Sequence, residues 1–234
     1  MDENIKSTQG WQHLKMGKET NLLKHYPRTK RDVNKRGNDK TDEDRMIARQ
    51  FGKDFFDGDR KNGYGGFYYN QKFWHPVVPD FVRHFNLSPN CSILDVGCAK
   101  GFMLHDFNEM IPGLTLRGID ISQYAIKNAI SDMKPNLLVA DAGHIPFKNN
   151  SFDLVISITT VHNLEREECI VALQEIQRVS RVNSFITVDA YHNDEEKEAM
   201  HAWNLTAKTI LHVAEWKELF REAGYTGDYY WFMP

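Results

Sequence analysis

Cysteine is scarce in this 234-residue chain. There are three, Cys91, Cys98 and Cys169, and no two are spaced as Cys-x-x-Cys. An odd, scattered set excludes a disulfide framework and a zinc knuckle, and it fits a reducing compartment, so a cytoplasmic protein is expected. Long hydrophobic runs are also missing. No stretch approaches the ~20 apolar residues of a membrane-spanning helix, and the N-terminal MDENIKSTQGWQHLK lacks the apolar core of a signal peptide. No membrane contact is expected. Nor does one sign of charge dominate. Twenty-nine Lys and Arg against 32 Asp and Glu give a formal net charge of -3, which argues against a dedicated nucleic-acid binder, since a phosphate backbone selects a basic surface. No internal repeat or low-complexity tract is evident.

Hydrophobic residues at 41% and charged residues at 26% are near the globular average. A chain of this length can bury roughly 70% of the surface it exposes unfolded, enough for one domain with an appendage. Its mean hydropathy of -0.56 is nevertheless polar. The polarity is uneven. Residues 1–40 carry a net +5, residues 41–234 a net -8. Tyr26 to Lys40 has almost no apolar side chain beyond Val33, which predicts a solvated, partly disordered segment. The expected division is a basic tail over 1–40, a helical and aromatic/Gly-rich lid segment over 41–90, and a core domain over 91–234.

Thr41 with Asp44 reads as a capping box, and Met46, Ile47, Phe51 and Phe55 mark one face of a helix running on from it. A second helix is predicted over 77–85, with Pro79 in its first turn. From residue 91 short β-branched runs alternate with amphipathic stretches. Strands are predicted over 92–97, 114–121, 137–141, 152–159, 184–191 and 227–233. Helices are predicted over 101–110, 122–133, 164–180, 194–202 and 215–225. Strand–helix alternation implies βαβ crossovers and a doubly wound α/β sheet of Rossmann-like type.

The strongest local signal is ILDVGCAKGFML at 93–104, an apolar strand running through Gly97, Cys98, Ala99 and Gly101 into a helix. Small residues let backbone approach a ligand closely, and a helix start offers unpaired N–H groups. Alone, the pattern fits a plain strand-to-helix turn equally. Asp120 ends the next strand, 25 residues after Asp95, where a carboxylate can accept both ribose hydroxyls of an adenosine-containing ligand. That spacing suits a nicotinamide dinucleotide or S-adenosylmethionine.

The continuation separates them. Val139-Ala140-Asp141-Ala142, then Ile145-Pro146-Phe147 and Ser151-Phe152-Asp153-Leu154-Val155, complete an order that resembles the class I S-adenosylmethionine-dependent methyltransferases, specifically the small-molecule, methyltransferase type 11-like group. The resemblance covers about 91–191 well and 205–234 loosely. It implies S-adenosyl-L-methionine as cofactor and S-adenosyl-L-homocysteine as product. It also implies that Gly97, Ala99 and Gly101 form the loop under the methionine part and that Asp95 orients that loop or holds the amino group. Asp120 would bind the ribose, Ile121 pack on the adenine, Asp141 accept from the adenine amino group, and Ala142 contact the ring. Ser157 and Ile158 would lie where cofactor and substrate meet. Ala99 departs from the usual second glycine. The fold so implied is mostly parallel, with an antiparallel C-terminal strand and an N-terminal helical/lid extension. Only GDYYWFM is clear as a strand after the last helix, so either the sheet is one strand short or Thr209–His212 supplies an element. Its aromatic edge invites covering by the N-terminal segment or by a second copy in a homodimer.

Methyl transfer requires a nucleophile held in line and, where needed, a base. His162, after the fourth strand, is the first candidate for the base because its ordinary pKa lies near working pH; it could equally pack or cap at the next helix. Tyr191 follows, with His192. Tyr64 belongs to GYGGFYYNQKFWHP, six aromatics among glycines. That segment is either a lid closing Tyr64, Phe67, Tyr68, Tyr69 and Trp74 over the site or packing of the appendage onto the sheet. No Asn/Asp-Pro-Pro-Tyr, Pro-Cys, HExxH or carboxylate pair is present, so a DNA substrate and a catalytic metal are not expected. The expected function is methyl transfer to an O or N atom of a small metabolite, such as a phosphate-bearing or surface-glycan precursor. The alternatives are an RNA methyltransferase that uses the basic N-terminal segment, or a non-catalytic cofactor-binding subunit.

Overall fold

The computed structural model describes residues 16–27 and 40–233. Seven strands form one sheet: β1 (Ser92–Val96), β2 (Thr115–Asp120), β3 (Leu137–Val139), β4 (Phe152–Ile158), β5 (Ser180–Tyr191), β6 (Leu211–His212) and β7 (Asp228–Phe232). Their order is β3-β2-β1-β4-β5, with β6 and β7 both on β5. The helices are α1 (Asp42–Ala48), α2 (Lys53–Asp57), α3 (Val78–Phe85), α4 (Phe102–Met110), α5 (Gln123–Lys127), α6 (Arg166–Val179), α7 (Asp194–Trp203) and α8 (Val213–Ala223). This is the expected doubly wound α/β architecture. The sheet switches direction between β1 and β4, and in such sheets the crevice outside the strand ends at that point is where ligands bind.

The period-2 alternation sorts each strand onto two cores. Leu94 and Val96 of β1 and Ile186 and Val188 of β5 meet α6 and α8 on one face. Ile93, Ile156 and Phe185 meet α3 and α4 on the other. Both faces are fully covered, as a parallel sheet requires.

Three expectations are corrected. The helix expected to run on from Thr41 is two: the capping box is present, but Phe51 at φ 49° and Gly52 separate α1 from α2. The helix expected over 122–133 stops at Lys127, because the Ile130 N–H turns to the Lys100 carbonyl at 3.0 Å instead of continuing the ladder. The C-terminal strand is parallel, not antiparallel. It pairs Phe185 with Asp228 through Asp189 with Phe232, because α8 carries the chain back to the starting end of the sheet before β7 begins, and a helical crossover delivers a parallel strand. The element anticipated near Thr209–His212 is the two-residue β6, on Ala190 and Tyr191.

The tail is described only in part. Residues 16–27 are docked; most of the basic segment, 28–39, and residues 1–15 lie outside the described residues. The edge of β7 is covered by the chain itself. Thr20 N–H donates to the Tyr229 carbonyl at 2.8 Å, and Tyr229 N–H donates to Lys18 at 3.1 Å. Gly17 lies so close to β7 that a Cβ there would sit 2.1 Å from the Gly227 carbonyl oxygen. Leu22 and Leu23 are then buried against Val78, Phe81 and their neighbours. Removing a buried leucine side chain typically costs about 2–5 kcal/mol. Leu22→Ala should therefore lower unfolding stability by about 2–3 kcal/mol in denaturant titration; wild-type stability would mean that this arm is not docked.

Candidate functional site

A cavity of about 590 Å³ opens over the ends of β1, β2, β4 and β5, at the switch point. That is ample for a nucleoside cofactor with a small substrate beside it. Gly97, at φ 87°, leads the chain off β1. A Cβ on Gly97 would lie 2.0 Å from Thr160 Oγ1, so only glycine lets the loop pack against the end of β4. Gly97 and Cys98 donate to the Ile119 carbonyl at 2.8 and 3.0 Å, and Ala99 N–H donates to Asp120 Oδ2 at 2.8 Å. Ala99 adopts φ 49° despite its methyl group, so the alanine departure keeps the left-handed turn that a glycine would make. Gly101, at φ 80°, is the N-cap of α4.

Asp120 fixes the loop as well as facing the cavity: its Oδ1 accepts from Ser122 N–H at 2.8 Å. A carboxylate has about four lone-pair sites, which leaves two for a ligand. Burial pushes its pKa up against those two bonds. Ile121 is 57% exposed beside it, a large apolar side chain at the mouth of the cavity. Asp141 and Ala142 line the same end, with Asp141 Oδ1 taken by Gly143 N–H at 2.7 Å. Cys98 is buried there, and burial pushes its thiol well above the ordinary value, so it lines the site as a neutral thiol.

Asp95 is 7% exposed, and among the described residues no N–H or O–H donates to its carboxylate. Burial, with the charge of Asp120 adding to it, pushes its pKa up to about 7. A buried carboxylate without a donor calls for a cation.

The candidates for catalysis fare differently. His162 lines the cavity and is 4% exposed. Its Nδ1 accepts the Asp189 N–H at 2.8 Å, and burial lowers its pKa. With the Nδ1 lone pair engaged, the proton of the neutral ring sits on Nε2, so the ring offers a donor and not a base. Tyr191 lies outside the cavity, its ring 5.7 Å from that of His212. Ser157 is also outside: it is on the opposite strand face from Ile156 and Ile158, fully buried, with its hydroxyl donating to the Val96 carbonyl at 3.0 Å. Tyr64 lines the cavity together with Phe67 and Trp74, and it packs on Phe67 at 4.3 Å between centroids. Tyr69 turns away to donate to Asp106 at 2.6 Å, and Tyr68 is 73% exposed. A group of His75, Asp106 and Glu109 brings ligand-type atoms within 4.8 Å of one another, but none of the three lines the cavity.

Three features escaped the sequence. Lys100, in the loop itself, is 4% exposed and donates to both Asp57 oxygens at 2.9 and 2.7 Å and to the Phe67 carbonyl at 2.8 Å. Thr159, a β-branched residue at φ 53°, sits at the cavity end of β4. Asp189, 6% exposed, closes the cavity floor from β5. The last had a legible signal, a carboxylate inside the apolar run FITVDAY.

Residues 87–224 match the model of a methyltransferase domain family, more than half of the chain. The chain belongs to the class I S-adenosylmethionine-dependent methyltransferases. It is 33% identical over 143 residues to the tRNA (carboxymethyluridine(34)-5-O)-methyltransferase of Arabidopsis thaliana, covering 60% of this chain and 33% of that protein. It is 27% identical over 142 residues to the malonyl-[acyl-carrier protein] O-methyltransferase of Legionella pneumophila, covering 59% and 49%. To the rat mitochondrial arginine-hydroxylase NDUFAF5 it is 35% identical over 86 residues, 36% of this chain and 23% of that one. The chain thus matches half or less of the length of these curated relatives. Among solved structures, the methyltransferase bound to the Trm112 activator of Haloferax volcanii superposes with a TM-score of 0.51 at 23% identity, covering 64% of this chain and 67% of that one. The [4+2]-cyclase SpnF superposes at 0.52 with 20% identity, covering 64% and 57%. Both show the fold.

The cofactor of this methyltransferase is S-adenosylmethionine, which supplies an electrophilic methyl group on a sulfonium. The cradle fits it: one donorless acid at the end of β1, one acid at the end of β2, two glycines at positive φ, and an exposed Ile121. An Asp95 that holds the cofactor's ammonium group must be ionised, and its pKa near 7 makes that state grow with pH. Cofactor affinity should therefore rise about five- to tenfold from pH 6 to 7.5 in calorimetry, before the α-amino group itself titrates near 8. In Asp95→Asn that rise should vanish. A flat wild-type profile would remove Asp95 from the ammonium site.

Proposed function

We propose that this methyltransferase moves a methyl group to an oxygen or nitrogen of a small molecule that bears an anionic group, a phosphate-bearing metabolite or glycan precursor fitting best. The observation that carries the reading is the set of charged side chains lining the cavity. The acids Asp95, Asp120 and Asp141 line one end. Lys40, Arg49, Arg60 and Lys208 line the same cavity; Lys208 is paired with Glu165 at 3.4 Å, and Arg60 donates to the Gly63 and Tyr64 carbonyls, both at 2.8 Å. Three of these cations come from residues 41–234, which carry a net -8, and Lys40 joins them from the basic segment; their gathering in one cavity supports an anionic acceptor. Arg49 is held in place by donating from Nε to the Thr206 carbonyl and from Nη2 to the Ala207 carbonyl, both at 3.3 Å. Its charge meets no carboxylate in doing so.

In this assignment Asp120 holds the ribose, Asp95 the ammonium group, and Ile121 and Ala142 the adenine. Tyr64, Phe67 and Trp74 exclude water over the transfer region. Transfer itself is orientation: the protein fixes the acceptor in line and keeps the site dry. All three cysteines are free thiols, which fits a reducing, cytoplasmic setting; no helix among the described residues is long and apolar enough to cross a membrane.

A second reading is an RNA acceptor. It draws on the tRNA-modifying relatives and on a neighbouring surface cavity of about 470 Å³ lined by Arg45, Arg49, His201 and Lys208. Glu165 lies among those cations, 3.4 Å from Lys208 Nζ, and weakens the case for a phosphate track.

Two measurements test the proposal. Asp120→Ala should weaken binding of S-adenosylhomocysteine at least tenfold in calorimetry, because it removes both a ligand acceptor and the brace on Ala99; unchanged affinity would overturn the placing of the ribose on Asp120. Transfer of tritiated methyl from the cofactor into a cell extract should survive treatment of that extract with ribonuclease and proteinase. Loss of transfer after ribonuclease would favour RNA instead.

A further inference from the structure

Resting on the methyl-transfer reading above, we infer that Asp189 is the general base of this site and that His162 is its positioning partner. The acceptor is accordingly a compound that reacts through an O–H or N–H, not one already deprotonated such as a carboxylate.

The geometry is as follows. Asp189 ends the stretch of β5 that pairs with β7. It shares a strand face with Phe185 and Thr187, and its side chain lines the cavity beside Thr159, Thr160 and Asn163. It is 6% exposed, yet among the described residues no N–H or O–H donates to its carboxylate. The approach of its Oδ1 to His162 Nδ1 at 3.4 Å is between two groups that both lack a proton there. A carboxylate built only to brace the fold would be capped by donors, as Asp120 is. This one is anchored through its backbone instead, its N–H on His162 Nδ1 and its carbonyl accepting from Trp216 Nε1 at 2.8 Å. The side chain is left facing the cavity.

Burial pushes the Asp189 pKa up, and a carboxylate with a raised pKa is a stronger base. The other charged groups lining the cavity are Asp95, Asp120, Asp141, Lys40, Arg49, Arg60 and Lys208. His162 Nε2–H remains as a donor to orient the acceptor. In the step itself, the acceptor's proton passes to an Asp189 carboxylate oxygen while its lone pair forms the bond to the methyl carbon. The electrons of the broken carbon–sulfur bond leave on S-adenosylhomocysteine, and the proton on Asp189 is returned to water when the products depart.

The experiment uses the full chain, tritiated S-adenosylmethionine and a small-molecule cell extract as the source of acceptor. Asp189→Asn should lose 10²–10⁴-fold in kcat, with calorimetric affinity for S-adenosylhomocysteine within twofold of wild type. Asp189→Glu should recover part of the rate. The acidic limb of the wild-type kcat/KM profile should be missing from the residual activity of Asp189→Asn. The tritium in the product should be stable to alkali, as an ether or N-methyl group is. Full activity in Asp189→Asn, a rise in KM alone, or release of the tritium as methanol in alkali would each overturn the inference. Failure of the parent reading looks different: the wild-type protein itself would bind no cofactor.

Discussion

The ammonium of Lys100 cannot be left unpaired where it lies. It sits inside the cofactor loop, 4% exposed, and an uncompensated buried charge there would be strongly destabilising. Asp57 meets it with both oxygens and also accepts from the Phe67 N–H and the Tyr124 hydroxyl. Burial alone would push the Asp57 carboxyl up, but these donors outweigh it and hold it below the ordinary value. This one pair therefore fixes three things relative to the loop: α2, which carries Asp57; the glycine-rich segment through Phe67; and α5 through Tyr124. The choice between a lid and packing of the appendage onto the core has a mixed answer in these contacts. Tyr64, Phe67 and Trp74 roof the cavity, and they do so because the segment is tied at its base to the loop beneath it.

A second consequence follows for the N-terminal region as a whole. The core from β1 onward is not closed by its own strands, since β7 leaves its outer edge open. Lys18 to Thr20 occupy that edge, Leu22 and Leu23 fill the apolar face behind it, and Tyr26 reaches Trp74 at 4.9 Å between ring centroids. Edge cover, buried face and roof of the cavity thus form one continuous strip of contacts. Within residues 16–27 the docking uses the backbone of Lys18 and Thr20 and the buried side chains of Leu22 and Leu23, so the neighbouring charges do not prevent it.

Much of this was legible in the residues, and the misses have physical causes. The strands were readable because β-branched runs between amphipathic helices have few other solutions, and Gly97, Asp120 and Asp141 were placed by motif order. What sequence could not show was whether a polar side chain is occupied. His162 looked like a base until its Nδ1 was found accepting a backbone N–H contributed by a strand 27 residues away. Ser157 looked like a site residue, yet strand alternation turns it to the other face from Ile158. Lys100 carries no signal in the sequence because its partner is 43 residues upstream. The direction of β7 was set by α8, so a family expectation for the last strand gave way to the length of one local crossover.

The remaining constraint is strain. Ala99 and Thr159, at the cavity ends of β1 and β4, both adopt left-handed backbone conformations that their side chains disfavour. Such residues cost on the order of 1–3 kcal/mol each. The surroundings over-determine both. Ala99 is held by Asp120, and Thr159 by its N–H on Thr187 Oγ1 at 2.9 Å and its hydroxyl on the Ile158 carbonyl at 2.8 Å. Glycine at either position would relieve the strain but would also widen the unfolded ensemble and loosen the turn. Each sharp turn serves the same end. It takes the chain out of the sheet within one residue, which leaves the strand ends open as the cavity floor and sets Asp95, Thr160 and Asp189 around one space. Stability is given up where two adjacent strands stop, and what it leaves open there is the cavity.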